Sequence, residues 1–361
     1  MTPGAKNLTP GDGSARNPMP NATISAGYPR ALLSFATGKG GERAALLAGA
    51  GLSEDELRHP DNRVSVERYV ALIKTAARLT GDPAIALKFG EAVRMQEISI
   101  VGLICEACET TIDVGRELNR YAQLVLDDDC GEPATLMRGV WKDEGVWIEA
   151  PHDLFTANPL IAEAEFARLV WNGRVMFANS HEFQKLKYPR VIHFMHANPG
   201  YADEYERVFQ APVVFNSHWN AMQIDAGFLA LKQPPVNRYV FGVLSERADA
   251  LLKSLQESKT ARGRVESLLL PILHTGDVSM DAIAEKLGLS RQTLYRNLRR
   301  EGVTYEQVLD ELRHRMALNY LGARKVSVNE TAYLVGFSEP AAFSRAFKRW
   351  TGQSPSALRR G

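Results

Sequence analysis

Between Ser279 and Arg359 one local pattern occurs twice, 48 residues apart. The first copy reads MDAIAEKLGLSRQTLYRNLRREG, from Met280 to Gly302, and the second VNETAYLVGFSEPAAFSRAFKRWTG, from Val328 to Gly352. Ala284 and Gly288 of the first answer to Ala332 and Gly336 of the second. The spacing is restrictive. The Ala must be small because a second helix crosses closely there, and the Gly suits a turn in which positive φ penalises any residue with a Cβ. Two helices joined by such a turn form a helix-turn-helix, and the chain contains two, over about residues 280–301 and 328–350.

Each unit carries its own apolar frame. In the first, Ile283, Leu287 and Leu289 make the inner side of the leading helix and turn, and Leu294 and Leu298 that of the second helix, with Ser290 a good N-cap. The second helix, Arg291–Arg300, carries Arg291, Arg296, Arg299 and Arg300 with no acid before Glu301. Guanidinium groups on an outward face suit phosphate oxygens and the O6/N7 edge of guanine. In the second unit Leu334, Val335 and Phe337 frame the turn. The helix over 339–350 buries Phe343 and Phe347 and shows Ser344, Arg345, Lys348 and Arg349. This turn is one residue longer, since Arg296 and Arg345 are 49 apart while the glycines are 48 apart. Between the units, Tyr305–Leu321 has Val308, Leu309, Leu312, Met316, Ala317 and Tyr320 at helical spacing. Such a spacer spans roughly 25 Å at 1.5 Å per residue, enough to hold two recognition helices in successive major-groove turns.

The charge balance is consistent with this division of labour. The whole chain has a net charge of +1, but residues 262–361 hold 16 Lys/Arg against 10 Asp/Glu. The rest of the chain is net acidic, so only one part seeks a polyanion. No apolar run is long enough for a membrane helix and no secretory signal opens the sequence, which reads as cytoplasmic and without a membrane partner. Three cysteines, Cys105, Cys108 and Cys130, cannot build a disulfide framework.

Residues from about Val265 to Arg360 resemble the DNA-binding domain of the AraC/XylS family of bacterial transcription regulators. SMDAIAEKLGLSRQTLYRNLRREG, ELRHRMALNYL and above all AYLVGFSEPAAFSRAFKRWTGQSPSALR carry the resemblance. It implies a regulator, an activator rather than a repressor, that binds double-stranded promoter DNA and contacts RNA polymerase. By motif position it implies base-reading roles for Gln292, Tyr295 and Arg296 in the first helix and for Pro340, Ala341, Ser344 and Arg345 in the second. Arg291, Arg299, Arg300, Lys348 and Arg349 remain for phosphate. Ala284, Gly288, Leu294, Ala332, Gly336, Phe337, Phe343 and Phe347 are structural, and Ser354-Pro355 closes the domain. Pro340, Ala341 and Ala342 depart from the hydrogen-bonding residues many relatives carry there. The second helix then relies on phosphate contacts, methyl contacts and DNA shape.

The preceding part reads as an α+β regulatory domain over residues 28–240, behind a disordered tail of residues 1–27 and ahead of a linker over 241–263, with KTARG (Lys259–Gly263) at its end. Helices are expected after the Ser53-x-x-Glu56 capping box, at Val66–Leu79, from Asp82-Pro83 to Phe89, at Ile98–Cys108, at Ile112–Leu126 capped by Thr111, at Pro159–Phe177, at Ala202–Phe209 and at Leu244–Ser258. Strands are expected at Ala134–Trp141 and Val146–Ala150 around KDEG, at Arg190–His196, Pro212–Phe215 and Ala221–Phe228. TIDVGRELNRYAQLV, the long helix after Asn158 and NPGYADEYERVFQAPVVFNSHWNAMQI resemble the arabinose-binding-like domain of the ornithine-utilisation and virulence regulator subgroup. That implies a small effector and self-association as a homodimer, without naming the effector.

Other residues invite sharper readings. Cys105-Glu-Ala-Cys108 has metal or redox spacing, so a thiol- or metal-responsive sensor or a DNA-tethered enzyme is the alternative function, although no second pair completes a tetrahedral site. His193 and His196 point to opposite sides of a strand. Trp141, Trp147, Trp171, Tyr188 and Trp219 are either a ligand pocket or core. No phosphate-cradling glycine loop and no nucleophile or zinc-protease motif is present, so no catalytic residue, metal or cofactor is expected.

Overall fold

The computed structural model describes residues 22–128, 134–142, 145–233, 238–276, 278–322 and 326–360. Cys130, Asp143 and Glu144 of the hairpin turn, and residues 1–21 of the expected tail lie outside them. The chain forms two compact units that divide between Leu252 and Lys253. Among the described residues, no helix is long and apolar enough to cross a membrane.

The N-terminal unit is mixed α and β, as expected. Its central element is the 18-residue helix Pro159–Met176, which buries residues on nearly all sides, among them Ile161, Ala164, Phe166 and Val170. A helix buried all round shows no single apolar stripe. It packs on the helix Ile85–Ala92 so closely that a Cβ placed on Gly90 would stand 2.3 Å from the Ala164 carbonyl oxygen. Its two buried ionisable side chains each have close partners. Arg168 pairs with Glu165 and lies over the rings of Tyr28 and Phe89 at 5.3 and 5.1 Å. Glu163 accepts hydrogen bonds from the Tyr205 and Tyr201 hydroxyls at 2.6 and 2.9 Å, and burial pushes its carboxyl up to about 7.

Two small sheets complete the unit. In the first, Thr23–Ser25 lies between Arg63–Ser65 and Leu126–Asp127, antiparallel to both. The second has five strands in the order Arg138–Lys142, Gly145–Glu149, Ala221–Ile224, Val191–His193 and Val213–Val214, with only the last pair parallel. The expected hairpin around KDEG and the helix Ala202–Phe209 are both present.

Several local expectations are corrected. Residues 22–27 of the assigned tail are part of the folded unit, because Thr23–Ser25 gains two strand partners more than 35 residues away. Ser53 and Glu56 exchange the expected capping bonds, but they close a turn and no helix follows. Asp82 bonds the Ala84 N–H at 3.1 Å, and the helix begins later, at Ile85. Thr110, not Thr111, caps the helix Thr111–Arg120, because the Thr111 hydroxyl donates to the Phe228 carbonyl instead. That helix stops at Arg120, and Ala122–Val125 and the strand Leu126–Asp127 replace its expected end. In the linker stretch the helix expected at Leu244–Ser258 is present within Arg238–Lys259, but KTARG is interrupted only at Thr260, which caps the next helix, Ala261–Leu269.

The C-terminal unit is helical throughout its described residues. Helices Met280–Lys286 and Arg291–Arg300 form the first helix-turn-helix, and Val328–Leu334 and Pro340–Thr351 the second. Tyr305–Gly322 connects them and Pro355–Arg360 closes the domain. One core joins both units through Ile283, Leu294, Leu298, Leu312, Phe343 and Phe347, each at most 1% exposed. Burying each such side chain stabilises by roughly 1.5–3 kcal/mol.

Candidate nucleic-acid interface and effector cavity

The first helix-turn-helix is set by two caps, one on each of its helices. Ser279 accepts from the Ala282 N–H and Ser290 from the Thr293 N–H, both at 3.2 Å, so both helices begin where a hydroxyl meets an otherwise unpaired donor. Gly288 turns the chain at φ +67°. Ala284 is 2% exposed beneath the crossing helix, and Leu294 and Leu298 anchor the inner face. Gln292, Tyr295, Arg296 and Arg299 therefore share the exposed face at helical spacings of three and four.

The second recognition helix repeats this face one residue later. Ala341, Ser344, Arg345 and Lys348 stand 49 positions after those four. The extra residue is in the turn, which takes 335–339 where the first unit takes 287–290. Ser327 and Glu330 form a full capping box on its leading helix. The recognition helix itself starts with Pro340 at its first position and no side-chain cap. Proline loses nothing there, since that N–H would be unpaired anyway. Ala332, Phe343 and Phe347 are fully buried and Phe337 half-buried. Arg345 and Ala341 are exposed, whereas Ser344 and Pro340 are half-buried.

The basic residues differ in what they already hold. Arg291 is paired with Asp281 at 2.6 Å and Arg349 with Asp310 at 2.7 Å. Arg299 lies over the Tyr295 ring at 5.9 Å. Among the described residues, Arg296, Arg300, Arg345 and Lys348 have no carboxylate partner. All these groups are on the surface, where an ion pair contributes at most about 1 kcal/mol, so a phosphate can displace the acid.

Sequence reasoning missed the residues that tie the two units to their frame. Arg313, on the spacer helix, donates to the Val335 and Gly336 carbonyls at 3.1 Å each and lies 4.7 Å from the Phe337 ring centre. Asp310 accepts from Arg349 and from the Trp350 indole at 3.4 Å. Glu301 caps the helix Ala261–Leu269, taking the N–H groups of Ala261 and Arg262 at 2.6 and 3.0 Å. No local spacing marks any of these roles, because each partner comes from another helix.

The N-terminal unit encloses a cavity of about 540 Å³. Strand alternation builds one wall: Val146 faces Ile224 and Ile148 faces Met222 on the cavity side. Trp147 is on the other side of the sheet, 5.0 and 4.9 Å from the rings of His193 and Trp219. Of the five aromatic residues singled out, Trp141 and Tyr188 line the cavity, Tyr188 stacked on Phe228 at 4.3 Å. Trp147, Trp171 and Trp219 do not. Cys105 and Cys108 are buried and unpaired. Burial raises the Cys105 thiol well above its ordinary value and the Cys108 thiol to about 12, which favours the protonated form of both. Cys105 closes the helix Ile100–Glu106 from within, while Cys108 lies beyond its end. His193 bonds Ser217 at 3.0 Å, and His196 stands 3.7 Å from Glu163, so the two histidines share no site. Among the described residues no group of three potential metal ligands occurs.

This division, a basic double helix-turn-helix and a separate unit with its own cavity, is matched by two families. Residues 40–233 match the arabinose-binding domain of AraC transcription regulators, N-terminal, and residues 283–361 match a helix-turn-helix domain. The chain belongs to the AraC family and is a DNA-binding transcription regulator. The ornithine utilization regulator of Pseudomonas aeruginosa is 28% identical over 93% of this chain and 96% of its own length. The HTH-type transcriptional regulator VirS of Mycobacterium tuberculosis is 30% identical over 47% of this chain and 49% of its own. The crystal structure of transcriptional regulator CdpR from Pseudomonas aeruginosa covers 92% of this chain and 98% of that one, at 21% identity and a TM-score of 0.36.

Proposed function

We propose that this regulator reads a two-part promoter site in the cytoplasm, activates transcription by contacting RNA polymerase, and is controlled by a small effector held in the N-terminal cavity or by self-association as a homodimer. The observation that carries the DNA reading is the matching of two exposed faces on one rigid frame: Gln292, Tyr295, Arg296 and Arg299 on one, and Ala341, Ser344, Arg345 and Lys348 on the other. The 18-residue spacer helix is about 27 Å long at 1.5 Å per residue, comparable to the roughly 34 Å between successive turns of a groove.

On this reading Arg296 and Arg345 contact guanines, Gln292, Tyr295 and Ser344 read neighbouring bases, and Pro340 and Ala341 offer only apolar contact. Arg291, Arg299, Arg300, Lys348 and Arg349 hold phosphates and position the helices. The test is selection from random duplexes followed by substitution of each base in the recovered site. A defined motif with a strict first half and a tolerant second half is the expected outcome. Recovery of no motif would reduce the protein to a non-specific DNA binder. Deleting the N-terminal unit should abolish the response of a reporter gene to whatever effector is identified. Arabinose and ornithine, named in the family and in one relative, are the first compounds to try.

A further inference from the structure

The cavity of the N-terminal unit is charged only at its rim. Arg94, Glu106, Arg116 and Arg138 are the charged side chains among its described lining, and each is between 43% and 66% exposed. The interior polar side chains are already bonded to the chain itself. Asn119 donates to the Met137 carbonyl and accepts from the Leu136 and Met137 N–H groups. Asn172 donates to the Arg168 carbonyl and accepts from the Met95 N–H. The Tyr188 and Thr111 hydroxyls donate to the Leu169 and Phe228 carbonyls, and Gln233 donates to backbone carbonyls of the Cys105–Cys108 stretch. Every hydroxyl of a sugar, and both charges of an amino acid, need partners when they leave water. Here each polar side chain already bonds the chain, and what remains, a second amide N–H on Asn119 and on Asn172 and hydroxyl lone pairs on Thr111 and Tyr188, falls short of what either ligand needs.

What the interior does have is apolar surface that can adapt. Met95, Met137, Met176 and Met222 line this one cavity, four of the nine methionines in the chain. Unbranched thioether side chains fit themselves to flexible, irregular ligands. We infer that the effector is an apolar-tailed amphiphile: an alkyl chain fills the interior and one polar head stays at the rim beside Arg94, Gln96 and Glu106. This rests on the reading of the cavity as the effector site. At the rim, Arg94 is held by Glu106 at 3.9 Å, the loosest of the three arginine pairs there, and Gln96 bridges them, its amide nitrogen on Glu106 and its oxygen on Arg94. These are groups that can rearrange around a head without leaving a charge buried.

The test is calorimetric titration of the full chain with hexanol, octanol, decanol and dodecanol, with arabinose and ornithine as polar comparators. Affinity should rise with length by about fourfold per methylene, the factor that corresponds to ~0.8 kcal/mol per buried CH2, and neither polar compound should bind at the same concentrations. Met176→Trp and, separately, Met222→Phe fill the interior and should each weaken dodecanol at least tenfold, with cooperative thermal unfolding showing that each variant is folded. Affinity independent of chain length would overturn the assignment. So would arabinose or ornithine binding that Met176→Trp abolishes, although effector control through the cavity would then stand. If no compound of either class binds, and Met176→Trp leaves reporter output unchanged in cells, the cavity is not an effector site and the control proposed above fails with it.

Discussion

Gly288 and Gly336 occupy the same place in the same motif, yet they are held by different constraints. Both have positive φ, +67° and +78°. A Cβ on Gly288 would meet nothing within 4 Å, whereas one on Gly336 would stand 2.2 Å from the Leu273 carbonyl oxygen. The first turn is a local device that depends on backbone conformation alone. The second is wedged against the rest of the domain and is also gripped by Arg313. The recognition helices differ in the complementary sense: the first shows Gln292, Tyr295 and Arg296, and the second shows Ala341 with Ser344 half-buried. The unit with the richer reading face has the looser turn, and the unit with the poorer reading face is the better anchored. On the proposed function, the duplicated motif divides its work, one copy reading bases and the other fixing position.

The largest effect that would test this contrast is on stability. Gly336→Val should destabilise the C-terminal unit by about 3–5 kcal/mol through backbone strain and overlap with Leu273, while Gly288→Ala should cost only about 1–2 kcal/mol. Thermal unfolding of the two variants checks this, and equal losses would remove the distinction. Next is specificity. Arg296→Ala should lower affinity for the selected site by about 1–3 kcal/mol relative to random DNA, and Arg345→Ala by less. Equal losses on specific and random DNA would make Arg296 a phosphate clamp. Arg313→Met should cost roughly 2 kcal/mol, because the Val335 and Gly336 carbonyls lose a charged donor. Its binding defect should fall on the second half-site, as base substitution in the variant would reveal. The smallest effect is expected from Asp310→Asn. It releases Arg349, so affinity for any duplex should rise by no more than about 1 kcal/mol, with a salt dependence steeper by about one phosphate contact. An unchanged salt slope would mean that Arg349 does not reach the backbone.

The helix-turn-helix units were legible because everything that defines them is local. Ser279 and Ser290 cap their own helices, Ala284 and Ala332 sit where crossing helices require small residues, and the one-residue difference in turn length follows from counting between Gly and Arg. The regulatory unit was legible as α+β but less so in detail. Its central helix is buried all round, so periodicity says little about its faces. The helix expected to run to Leu126 gives way to a strand because Thr23–Ser25 supplies a pairing partner from far away in sequence. Trp141 reaches the cavity while Trp147 does not, and only the register of the five-stranded sheet decides which.

By itself, then, the sequence determined the double helix-turn-helix, the acidic–basic division of the chain and the family to which it belongs, since each is written in spacings of a few residues or in composition. Tertiary structure alone decided that Gly336 is wedged where Gly288 is free, that Arg313 grips the second turn, and that the cavity interior is mostly apolar with each polar side chain already bonded to the chain. Those features depend on which distant residues meet. Such pairing is chosen by the packing of the whole unit, and no local pattern records it.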